Sequence, residues 1–134
     1  VKEVVQCFLR PSSLYKIKEQ DMEITLTGTR AFGPARKDSD WDFVMCYWDA
    51  DIIRRILAEE GIEVQDQSEI NPVYLGFKVT LGSTVIQVIC ASSREEYKQW
   101  KYATKQMLNI SPIEDRDERH RQFQKFFTDK KSCL

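Results

Sequence analysis

From Ser39 to Met45 the chain reads Ser-Asp-Trp-Asp-Phe-Val-Met, a run in which polar and apolar side chains take turns. Period-two alternation of this kind predicts a half-buried strand. Successive strand side chains point to opposite faces, so Asp40 and Asp42 share one face while Trp41, Phe43 and Met45 share the other. The apolar set goes to the core, which leaves two carboxylates side by side, about 7 Å apart along the strand. Just upstream, Ile24 to Thr27 predicts a first strand that breaks at Gly28-Thr29. A polar loop carrying Arg30, Gly33, Pro34, Arg36 and Lys37 then leads to the second strand.

Neighbouring like charges are costly unless water or a cation offsets them. Hard divalent cations take oxygen ligands, and Mg2+ in particular binds through one or two carboxylates together with substrate phosphates. The bend before the loop offers what a phosphate needs. Gly28 lets backbone approach closely, and Thr29 brings a hydroxyl and an N–H. Arg30, Arg36 and Lys37 carry charge that can neutralise phosphate. The residues alone thus predict a site for a metal and a triphosphate, with Asp40 and Asp42 as metal ligands and Gly28, Thr29, Arg30, Arg36 and Lys37 as phosphate partners. Solvated loop residues are the plainer reading of Arg36 and Lys37.

The string GTRAFGPARKDSDWDFVM resembles the signature of the nucleotidyltransferase superfamily typified by DNA polymerase beta. That signature is a strand ending in Gly-Ser or Gly-Gly, a loop, and a strand carrying Asp-x-Asp between apolar residues. Gly28-Thr29 matches the first part with a conservative change, and Asp40 and Asp42 match the second. With Arg30-Ala31, Gly33 and Asp38-Ser39, the whole is most similar to minimal single-domain members. The resemblance implies an α/β (α+β) fold: a small mixed, largely antiparallel β-sheet with helices packed on one side. It also implies Mg2+ or Mn2+ as cofactor and an NTP substrate, with ATP the first candidate.

The remaining chain is consistent with one domain over residues 1–134. With 20 Lys and Arg against 21 Asp and Glu, no global charge drives the chain onto nucleic acid, and such binding would need a local patch. The four cysteines, Cys7, Cys46, Cys90 and Cys133, show no C-x-x-C pairing and there is one histidine, so a zinc site is not expected. No apolar run is long enough for a membrane span and no signal-peptide pattern opens the chain; the expectation is a cytoplasmic protein with no membrane partner. Val1 to Arg10 and Leu14 to Glu19 predict helical pieces packed across the back of the sheet. Asp49 is expected to cap a helix bearing Ile52, Ile53, Ile56 and Leu57, with Gly61 as its stop. Ile62 to Gln65 predicts a strand and Asp66 to Asn71 a polar loop. Val73 to Leu81 and Val85 to Cys90 predict a hairpin turning at Gly82-Ser83. Ser93-Arg-Glu-Glu and Ser111-Pro-Ile-Glu read as capping boxes opening two final helices. On the last of these, Ile113, Arg116, His120, Phe123 and Phe127 recur at helical spacing; the aromatics read as core, the mixed charges as a solvated face and His120 as a packing or hydrogen-bonded residue rather than a general base.

The superfamily usually has a third acid on the later strand beside Asp-x-Asp, where it helps hold a metal and takes the acceptor's proton. Here Gln87 occupies the expected place. An amide can coordinate weakly or hydrogen-bond, but it cannot act as a base. Three readings are open: the two aspartates suffice, a carboxylate such as Glu69 or Glu95 substitutes, or the site binds a nucleotide without turning it over. The expected activity is transfer of a nucleoside monophosphate from an NTP to a hydroxyl of an RNA or protein acceptor, with Asp40, Asp42 and Gln87 at the reacting centre. The alternative is a catalytically degenerate module that binds a nucleotide, a nucleic acid or a protein partner.

Overall fold

A computed structural model describes residues 22–66 and 76–133. The helices expected before residue 21, the loop beyond Asp66 and Glu69 lie outside these residues. Five strands form one sheet: β1 (Thr25–Thr27), β2 (Trp41–Cys46), β3 (Gln65–Asp66), β4 (Gly76–Leu81) and β5 (Thr84–Ala91), in the order β1-β2-β5-β4-β3. The β2–β5 pair is parallel and the other three pairs are antiparallel. Four helices complete the described chain: α1 (Thr29–Phe32), α2 (Tyr47–Glu59), α3 (Arg94–Ile110) and α4 (Arg116–Cys133). This mixed, mostly antiparallel sheet with packed helices is the expected class.

The layering is fuller than the sequence alone suggests, because helices cover both faces of the sheet rather than one. Alternation along β2 explains why. Phe43 and Met45 point into a cluster with Phe77, Val79, Ile86 and Val88 and with Ala50, Ile53 and Leu57 of α2. Val44 and Cys46 point the other way, into a cluster with Ala91, Tyr97, Trp100, Ala103, Met107 and Phe123, closed by α3 and α4. An interior strand apolar on both sides after its second residue needs a layer on each. Only the first part of the polar face, at Asp40 and Asp42, escapes this cover.

Local signals decide where the helices start. Ser93 caps α3 as its capping box predicts, its Oγ accepting the Glu96 N–H at 3.1 Å. The other two caps differ. β2 runs into α2 without a loop, so α2 begins at Tyr47 and Asp49 sits inside its first turn instead of capping it. The last helix begins at Arg116, with Asp115 Oδ1 accepting the N–H of Asp117 at 2.9 Å. Ser111 instead donates its hydroxyl back to Leu108 O at 3.1 Å, ending α3. Two capping sequences four residues apart competed, and the aspartate prevailed. β1 is fastened to α3 by side chains: Thr27 and Thr104 hydroxyls meet at 2.7 Å, and Thr25 meets the Tyr97 hydroxyl at 2.6 Å.

Candidate functional site

The end of β1 and the start of β2 lie side by side, Thr27 opposite Asp42 in the antiparallel register. The chain leaves β1 through Gly28, whose φ of 71° suits glycine. A Cβ built on Gly28 would lie 2.4 Å from Asp42 Oδ2, so this position admits no side chain while Asp42 stays where it is. Beyond Gly28 the backbone departs from the polar loop expected from sequence. Ala31 N–H and Phe32 N–H both return to Gly28 O, at 2.9 and 3.2 Å, folding Thr29–Phe32 into the short helix α1.

Asp42 is the second residue of β2, whereas Asp40 just precedes the strand. Both carboxylates are half-buried on the face opposite Phe43. Burial first, and the Asp40 charge second, push the Asp42 carboxyl from 3.8 up to about 6. Asp42 Oδ1 is buried and has no hydrogen-bond partner. No described cation forms an ion pair with either aspartate. Gln87 lies opposite Asp42 in the parallel register, and its Nε2 donates to Asp40 Oδ2 at 3.2 Å. The three predicted polar residues at the reacting centre are thus brought together, with the amide bracing Asp40.

Asp42 opens into a cleft of about 450 Å³, a size ordinary for small-ligand sites. Thr27, Gly28, Thr29 and Ile89 share its sheet side, and Phe32, Trp100 and Phe123 form an apolar floor. The far wall is the first half of α4: Arg116, Asp117, Arg119, His120 and Gln124. Sequence reasoning puts Phe123 in the core and does not assign Arg116 or His120 to a site. A signal is there: both fall on the same helical stripe as Phe123 and Phe127, the stripe that turns toward the sheet.

None of the three loop cations lines the cleft. Arg30 donates to Ser39 O from Nε at 3.0 Å and from Nη2 at 2.9 Å, reaches Lys37 O at 3.0 Å, and stacks its guanidinium 4.3 Å from the Trp41 ring centre. It is a brace that shapes the loop feeding β2. Arg36 and Lys37 are exposed and do not line the cleft. Glu95, the described candidate for a substitute carboxylate, is exposed in the first turn of α3 and is also outside the lining.

The donors at Asp40 and Asp42 are oxygen, hard and close to a cleft, and one is a desolvated acceptor without a partner. Such a set fits a hard divalent cation better than a soft one. Among the described residues no group of three or more His, Cys, Asp and Glu gathers at one point; Gln87 stands beside the two aspartates. No helix of the described residues is long and apolar enough to cross a membrane.

Comparison with known proteins leaves the site to speak through its chemistry: no protein-family model, no curated protein and no solved structure matches the chain.

Proposed function

We propose that the chain is a metal-dependent nucleotidyltransferase that moves a nucleoside monophosphate from an NTP, ATP first among them, to a hydroxyl of an RNA or protein acceptor. The observation that carries this reading is the Asp42 carboxylate: half-buried, unpartnered at Oδ1, abutting a glycine that leaves it room, and facing a ligand-sized cleft. A protein keeps such a destabilising group where something else completes it. The motif resemblance built on Gly28-Thr29 and Asp40-x-Asp42 supplies the chemical class.

Asp40 and Asp42 would hold a divalent cation, Mg2+ or Mn2+, which would supply positive charge to offset that of the carboxylates and a triphosphate. Gly28 and Thr29 meet the phosphates with backbone N–H groups and a hydroxyl. Gln87 holds Asp40 in place by its amide N–H. The acceptor oxygen then bonds to the α-phosphorus, the bond to the bridging oxygen breaks, and pyrophosphate leaves. The acceptor's proton passes to water, because an amide cannot take it. Rate enhancement in this scheme is positional and electrostatic.

One feature favours a second reading. Gln87 stands where the superfamily has its third acid, and its amide is engaged with Asp40; a module that binds nucleotide without transferring it would tolerate that. Incubation with α-labelled NTPs, Mg2+ or Mn2+, and total cellular RNA and protein separates the two. Label passing to RNA or protein, and lost in Asp42→Asn, supports the enzyme. Metal-dependent nucleotide binding without transfer supports the module. Full turnover by Asp42→Asn refutes the assignment of the carboxylate.

A further inference from the structure

We infer that Arg116 and His120 of α4 form the anion-binding wall of the cleft, taking the polyphosphate of a nucleotide across from Asp42. This rests on the nucleotide reading above and names the groups that select a triphosphate. Both side chains line the same cleft as Asp42, one helical turn apart. Neither forms an ion pair with Asp42, so the Arg116 guanidinium and the Asp42 carboxylate line one cleft without closing it.

The plain alternative for Arg116 is a solvated helix-surface cation paired to an acid on the next turn. Its i+3 and i+4 neighbours are Arg119 and His120, so the helix offers it no such acid. Arg119, the third cation of the lining, is already occupied: its Nη1 donates to Ile113 O at 2.9 Å and Glu114 O at 2.8 Å, bracing the approach to α4. Arg30 is likewise committed to its loop, and Arg36 and Lys37 stand outside the lining. The basic side chains left to face a ligand in this cleft, among the described residues, are Arg116 and His120. A ligand spanning it carries negative charge at two places, one linked through a cation to the aspartates and one meeting α4 directly. A triphosphate satisfies both and a monophosphate satisfies one.

Calorimetric titration of the full chain with ATP, ADP and AMP in Mg2+ tests this. Wild type should bind ATP most tightly and AMP least. Arg116→Ala and His120→Gln should each weaken ATP binding about tenfold, the worth of one charge-assisted contact, with little change for AMP. Arg116→Lys should retain most of the affinity. Lys125→Ala, an exposed cation on the same helix outside the lining, should bind as wild type. Circular dichroism of each variant separates lost binding from lost fold. The inference is overturned if Arg116→Ala and His120→Gln bind ATP as wild type does, or if the loss falls on Arg36→Ala and Lys37→Ala instead. Absence of Mg2+-dependent ATP binding by wild type overturns the nucleotide reading and this wall with it; binding that ignores α4 overturns the wall alone.

Discussion

Asp42 sets what the site costs. Its folded-state pKa of about 6 stands above the ordinary 3.8, so between those values the folded protein holds a proton that the unfolded chain has released. The stabilising effect of that proton is complete below the unfolded value and is lost as pH rises through about 6. At pH 7 the ionised carboxylate therefore works against the fold. Asp42→Asn should make the metal-free protein more stable at pH 7, by on the order of 2 kcal/mol after allowance for solvent screening. The gain should shrink toward pH 4, and urea unfolding at the two pH values checks it. The same variant should lose any stabilisation by Mg2+. Gly28→Ala tests the neighbouring residue: a methyl group 2.4 Å from Asp42 Oδ2, on backbone at φ 71°, has to displace the carboxylate. It should cost more than about 1 kcal/mol and weaken metal-dependent nucleotide binding; an unchanged titration would show that the carboxylate position is not critical. At this scale the sequence is informative where side-chain parity decides the outcome. Asp40, Asp42 and Gln87 share a face because strand geometry requires it. Arg30 is not legible, since its guanidinium is drawn to the carbonyls of Lys37 and Ser39 and to the Trp41 ring by a loop shape that no periodicity encodes.

Among elements, the contact that fixes the site is between β1 and α3. The buried Thr27 hydroxyl meets Thr104, whose own hydroxyl also donates to Trp100 O at 2.8 Å. Thr104→Val keeps the shape and removes the partner, leaving Thr27 buried without its bond. The expected cost is about 1–3 kcal/mol, read as a lower denaturation midpoint, with nucleotide affinity falling too because Gly28 comes directly after Thr27. A variant with the wild-type midpoint would mean that Thr27 finds another partner. Element boundaries are legible where a single strong signal stands alone, as at Ser93. They are not where β2 continues straight into α2, or where Ser111 and Asp115 both offer a cap. Coverage of the second sheet face is also readable in principle, because Val44 and Cys46 are as apolar as Phe43 and Met45.

Over the whole molecule, α4 is the part that sequence reasoning leaves out of the site. Its charges look like a solvated face when taken as a one-dimensional string; the packing of Phe123 against Trp100, ring centres 5.1 Å apart, and against Phe32 brings Arg116 and His120 to the cleft that Asp42 lines, more than 70 residues away. Global stability should report that closure. Phe123→Ala should destabilise the protein by about 3–5 kcal/mol and reduce nucleotide binding in the fraction that remains folded. Saturating Mg2+ and ATP at about a hundred times the dissociation constant should add about 2.7 kcal/mol to wild type, seen as a rise in melting temperature that Asp42→Asn lacks. No rise in wild type would count against the proposed ligand.

The two walls of the cleft come from distant parts of one chain, the Asp42 side complete by Ile89 and the α4 side not begun until Arg116. Synthesis runs from the N-terminus, so the acids and their glycine emerge well before the helix that faces them. Any nascent or prematurely terminated product stopping short of Arg116 has the acidic half of the site and lacks the basic half. On the proposed reading, such a product would lack half of what grips a polyphosphate.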